Sequence, residues 1–154
     1  LRQTLADTGL PAEQLSLELT EGILMDNTAS AIEILHALRG MQVSVSIDDF
    51  GTGYSSLSYL KHLPISTVKI DRSFIHELTN SSDDAAIVQG IISMAHHLGL
   101  SVVAEGVETS EQHQRLLSYH CDGFQGFGLA KPMPLAELER LLAAQRTATT
   151  PVNQ

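Results

Sequence analysis

Cysteine occurs once in these 154 residues, at Cys121. That excludes an intramolecular disulfide and a thiolate-built zinc site, and Cys121 reads as a small buried hydrophobe. Basic residues are scarce: 9 Lys and Arg stand against 18 Asp and Glu, for a net charge of −9, and no basic run is present. A positive face for duplex nucleic acid is therefore not expected. A phosphate ester remains accessible to an acidic protein if divalent cations invert the local field. No uninterrupted membrane span is present either. The most apolar stretch, Ala85 to Val107, is broken by Gln89, His96 and His97, and Gly99 divides it into a helix and a strand. No repeat or low-complexity segment is seen in these residues, no signal peptide is expected among them, and the length suits one domain with a substantial core.

What is present is an alternation. Five short apolar runs of strand type each carry a polar or charged side chain near the end, and helix-like segments separate them. The runs are Leu15–Leu19 with Glu18, Val43–Asp49 with Asp48 and Asp49, Thr67–Asp71 with Lys69, Ser101–Glu105, and Gly123–Phe127 with Gln125. Helical stripes fall at Ala31, Ile34, Leu35 and Leu38, ended by Gly40, and at Ile87, Ile91, Met94 and Leu98, with Asp83 or Asp84 as N-cap and Gly99 as the stop. Leu135, Leu138, Leu141 and Leu142 make a third stripe after Pro134. Shorter helices fit Ser55–His62 and Ser110–Tyr119; Leu1–Leu10 reads as the end of a helix and Thr147–Gln154 as a tail. A β-α repetition of this kind implies an α/β fold with a parallel sheet. Five strands do not close a (β/α)8 barrel, so the sheet is either open and doubly wound or the C-terminal part of a longer barrel.

Buried parallel strands are expected to be nearly pure Val, Ile and Leu, so charges at their ends need a reason. Asp48 and Asp49 are adjacent where a strand yields to the Gly51/Gly53 loop, and there both can turn toward one site. Two such carboxylates repel unless cations neutralise them, and a pair of hard divalent ions suits them. Glu18 lies among leucines, three residues before Glu21. Lys69, between Val68 and Ile70, can orient an attacking water, hold a phosphate oxygen or neutralise Asp48. Glu105 is a candidate ligand or proton acceptor, and Gln125 can hold a water or a substrate oxygen. Asp49-Phe50-Gly51 is no kinase triplet, because no glycine-rich loop or His-Arg-Asp loop accompanies it. Gly51-x-Gly53-x-x-Ser56 lacks the third glycine of a dinucleotide fingerprint. His96 and His97 lie late on a helix, as core or surface side chains.

Taken together, these segments resemble the EAL-domain cyclic di-GMP phosphodiesterases. The resemblance rests on Leu17-Glu18-Leu19-Thr20-Glu21, Asp48-Asp49-Phe50-Gly51-Thr52-Gly53-Tyr54-Ser55-Ser56, Val68-Lys69-Ile70-Asp71, Val103-Ala104-Glu105-Gly106-Val107-Glu108, and Gln125-Gly126-Phe127 leading to Lys131-Pro132. It implies a TIM-like barrel of which residues 1–146 supply five β/α units, strands four to eight, with 147–154 as a tail or linker. It implies hydrolysis of cyclic di-GMP to linear pGpG with two Mg²⁺ or Mn²⁺ ions. On it, Glu18, Asp48 and Asp49 are metal ligands, with Asp48 bridging; Lys69, Glu105 and Gln125 are catalytic. Glu21 anchors the Asp49–Ser56 loop, and Glu108 and Pro132 contact substrate.

The resemblance further implies a cytoplasmic homodimer, attached in its parent to sensory or diguanylate-cyclase-like domains. The Glu-Ala-Leu strand, the strand with a metal-binding Asn and a substrate-holding arginine have no counterpart in these residues. The competing class is a binding or protein-interaction module that uses cyclic di-GMP without turnover. Retention of the carboxylates and the lysine favours the enzyme for the parent domain. Two ligand-bearing strands short, the isolated 154 residues are expected to be inactive and to associate.

Overall fold

The computed structural model describes residues 1–20, 22, 28–53 and 60–148. Five strands form among the described residues: β1 (Ser16–Thr20), β2 (Ser44–Phe50), β3 (Thr67–Ile70), β4 (Ser101–Glu105) and β5 (Gly123–Gln125). They lie in one sheet in chain order, every neighbouring pair parallel, so β1 and β5 are its edges. The helices among the described residues are α1 (Arg2–Thr8), α2 (Thr28–Gly40), α3 (Arg72–His76), α4 (Ser82–His97), α5 (Ser110–Ser118) and α6 (Leu135–Ala148). The helix expected over Ser55–His62 falls largely outside the described residues, and α3 was not foreseen.

Register decides what each face of the sheet carries. Glu18 pairs with Ser46, Ser46 with Thr67, Thr67 with Ser101, and Val103 with Gly123. Because side chains alternate along a strand, Glu18, Ser46, Asp48, Thr67, Lys69, Glu105 and Gln125 share one face. The opposite face holds Leu17, Leu19, Val45, Ile47, Val68, Ile70, Val102 and Ala104. There Val45, Ile47, Val68, Ile70, Val102 and Ala104 share one core with Leu35, Val88, Ile92 and Leu116 of the helices. The expectation of nearly pure apolar strands is thus corrected. One face packs on helices; the other carries small polar residues and ends in charges, as the inside of a barrel does.

Two helix details also differ from expectation. On α4 the expected stripe holds in part: Ile91, Met94 and Leu98 are partly buried against the core. Ala85, Val88, Ile92 and Ala95 are the buried residues, and Ile87 stays 45% exposed. Its N-cap is Ser81, whose hydroxyl accepts from the Asp84 amide, and Asp83 and Asp84 occupy the first turn, where their charge suits the helix dipole. On α6, Leu135, Leu138 and Leu142 form the expected stripe but remain exposed. Cys121 is buried as expected, its thiol against the carbonyls of Val102 and Gly123, and burial raises its pKa.

Candidate active site

The site begins with an irregularity in β2. Ile47 pairs with Val68, but Ile70 is met by Phe50, so β2 spends three steps where β3 spends two. The extra residue is Asp49, in left-handed conformation at φ 54, a geometry that Asp tolerates better than most side chains. The bulge has two consequences. Phe50 returns to the apolar face and is buried there. Asp49, which strict alternation would have turned the same way, is freed to join Asp48. Carboxylate oxygens of Asp48, Asp49 and Glu105 then lie within 4.8 Å of one another.

Lys69 stands beneath them. Its Nζ is 2.6 Å from Glu105 Oε1, 2.8 Å from Glu18 Oε2 and 3.1 Å from Asp48 Oδ1. The lysine is buried, whereas Glu18 on edge strand β1 is half exposed. Burial by itself would lower the lysine pKa, but the close carboxylates of Glu105, Glu18 and Asp48 outweigh it and raise it well above the ordinary value. Lys69 is a fixed cation at neutral pH. Asp48 Oδ1 is buried and has no hydrogen-bond partner among the described residues, its contact with Nζ being that of an ion pair. An acceptor left in that state costs free energy unless something else satisfies it. The neighbouring donors are all carboxylate oxygens, which suits a hard divalent cation. Asp48, Asp49 and Glu105 therefore fit a metal, with Glu18 one lysine contact away.

The site opens into a cleft of about 690 Å³, within the roughly 300–1,000 Å³ of small-molecule sites. Asp49, Glu105 and Gln125 line one side, and Phe127, Pro132, Met133 and Leu138 give it an apolar wall. Glu108 and Pro132, expected from sequence as substrate contacts, both line it. Glu21 lies outside the described residues, as does most of the loop it was expected to anchor. Sequence reasoning quoted Asp71, Phe127 and Lys131 only as parts of motifs, without a role, and passed over Arg72 and Met133; all five also border the cleft. Asp71 could have been found, since it is the first residue past the strand that carries Lys69. It caps α3 by accepting from the Ser73 amide, and those Ser73 contacts outweigh a small burial effect to depress its pKa.

Two glycines let the loops meet. Gly106 has φ 71, and a Cβ there would collide with that of Arg72. A Cβ at Gly126 would collide with the Val107 backbone, because the loop after β5 lies directly on the loop after β4. The amide of Val107 donates to Gln125 and that of Gly128 to Val107, at 3.0 Å each. At the other end of the strands, His96 and Asp122 pair at 2.8 Å and Asp122 accepts from the Val102 amide, a fastening remote from the cleft.

A family profile described as EAL domain matches residues 1–132. The cyclic di-GMP phosphodiesterase NbdA of Pseudomonas aeruginosa is 50% identical over 151 residues, which is 98% of this chain and 19% of NbdA. The chain thus spans about a fifth of the length of such curated relatives. Among solved structures, the complex of the PaMucR phosphodiesterase with cyclic di-GMP superposes with a TM-score of 0.85 at 50% identity, over 89% of this chain and 56% of that one. A manganese and cyclic di-GMP complex of BlrP1 from Klebsiella pneumoniae gives 0.76 at 36% identity, over 81% and 32%.

Proposed function

Since the chain belongs to the EAL domain family, we propose that it is the C-terminal part of a metal-dependent phosphodiesterase that hydrolyses cyclic di-GMP to linear pGpG. The observation that carries this reading is the cluster of Asp48, Asp49 and Glu105 over the buried Lys69, at the mouth of a cleft of small-molecule size. Magnesium or manganese, held by Glu18, Asp48 and Asp49, would supply charge stabilisation for the attacking and leaving oxygens. The protein's own groups do the rest. Lys69, held in its charged form by the surrounding carboxylates, holds an attacking water or a phosphate oxygen. Glu105 is the nearest carboxylate to it and is assigned the proton-accepting or water-holding role, with Gln125, its register partner, orienting the water. Glu108 and Pro132 contact the nucleotide, and Arg72 and Lys131 offset its negative charge. Glu21 is retained as the loop anchor.

No helix among the described residues is long and apolar enough to cross a membrane. The reading extends to a cytoplasmic setting, a homodimer, and attached sensory or diguanylate-cyclase-like domains. The test is to incubate the full-length protein containing this chain with cyclic di-GMP, with and without Mn²⁺ or Mg²⁺, and to follow pGpG. Turnover that requires the metal is expected. Tight binding of cyclic di-GMP without any product would replace the enzyme by a binding module.

A further inference from the structure

Glu108 reaches the cleft from a loop, and that loop is held by a residue that never touches the cleft. Gln112 on α5 is 5% exposed. Its Oε1 accepts from the backbone amides of Glu108 at 2.9 Å and Thr109 at 3.0 Å, while its own backbone N–H donates to the Thr109 hydroxyl. This is a capping box, and glutamate serves in that role as well as glutamine. The other end of the side chain asks for more. Nε2 donates to the carbonyl of Ile75, 37 residues away near the end of α3, at 3.0 Å. A carboxylate cannot donate. Arg115, one turn further along α5, makes a parallel tie to the Leu78 carbonyl at 2.9 Å. At its start α3 carries Arg72, which lines the cleft beside Glu108 and rests against Gly106.

We propose that Gln112 is a positioning residue that clamps two walls of the cleft at a fixed separation. Its amide oxygen sets the backbone of Glu108, and its amide nitrogen sets α3 and with it Arg72. A buried amide with both ends satisfied resists displacement, because moving either wall leaves a polar atom unpaired. The proposal rests on the reading of Glu108 as a substrate contact.

Steady-state kinetics on the full-length protein with cyclic di-GMP and Mn²⁺ test it, on wild type, Q112E, T109A, R115A and E108A. Q112E keeps the cap and loses the donor to Ile75. It is expected to raise KM about tenfold with kcat within about threefold, since walls that bind rather than react are displaced. T109A weakens the cap alone and is expected to lower the melting temperature without moving KM. Q112E with a wild-type KM would overturn the clamp and leave Gln112 as a cap. Should Q112E fail to fold, R115A decides: with the cap intact, it is expected to raise KM about threefold, and an unchanged KM would overturn the proposal. E108A separates the two layers. An unchanged KM in E108A removes Glu108 as a substrate contact, and the clamp falls with it. A raised KM in E108A with normal Q112E and R115A removes the clamp alone.

Discussion

Lys69 shows how a residue type can be obvious in sequence while its role is decided by distances. Between Val68 and Ile70 it was out of place, and three roles were open for it. In the structure it faces three carboxylates within 3.1 Å, which favour its charged form and suit it to holding an oxygen rather than passing a proton. Lys69→Ala is expected to lower kcat by about 10²–10³, the usual cost of removing a donor aimed at developing charge, with a smaller effect on KM. A normal kcat with weakened binding would instead make Lys69 a ground-state phosphate contact. Asp122 gives the pH dependence at the same scale. Slight burial acts to raise its pKa, but the contacts with His96 and the Val102 amide depress it below the ordinary carboxylate value. Its stabilising contribution is therefore complete above about pH 4 and is lost as pH falls through the folded value. Asp122→Ala should lose about 1 kcal/mol at pH 7, kept small by its solvent exposure. Thermal melts of variant and wild type should draw together as pH falls below the ordinary carboxylate range.

At the scale of elements, the strands and the residues at their ends were legible because a charge inside a short apolar run is rare and has few explanations. The β2 bulge was not legible. Two adjacent aspartates before a glycine loop suggested that both turn toward one site, but only pairing with β3 shows Asp49 as the inserted residue and Phe50 as returned to the core. The most deeply buried residues of α4 were missed for a similar reason, since a helix apolar on more than one side leaves the choice to its neighbours, although Ile91, Met94 and Leu98 do pack on the core. Gly126 was read only as part of the Gln125-Gly126-Phe127 motif. It is where the loops after β4 and β5 meet backbone to backbone, between Gln125 and the residues lining the cleft. Gly126→Ala should cost about 1–3 kcal/mol by overpacking, and turnover should drop with it as Gln125 shifts. Chemical denaturation beside the activity assay checks both, and unchanged values would mean that the two loops separate freely.

At the scale of the molecule, five parallel strands form an open sheet with β1 and β5 at its edges and an exposed leucine stripe on α6. Unpaired edges and uncovered apolar surface recruit other chains. The isolated 154 residues should therefore sediment as a dimer or larger, with weak activity or none. A monomer as active as a full domain would show that the edges need no cover. The half-exposed Glu18 on β1 belongs to the same picture: its position in the motif was readable from sequence, whereas its pairing with Lys69 required the register of three strands.

The central claim is that Asp48 holds a metal needed for hydrolysis, and Asp48→Asn tests it most directly. The substitution keeps the shape of the side chain and removes the charge at the buried oxygen that faces Lys69. In the full-length protein with saturating Mn²⁺, pGpG formation by the variant should fall by at least about 10³, the scale of losing a principal electrostatic contribution, while the melting temperature without metal stays near that of wild type. Turnover by Asp48→Asn within a few-fold of wild type would contradict the account.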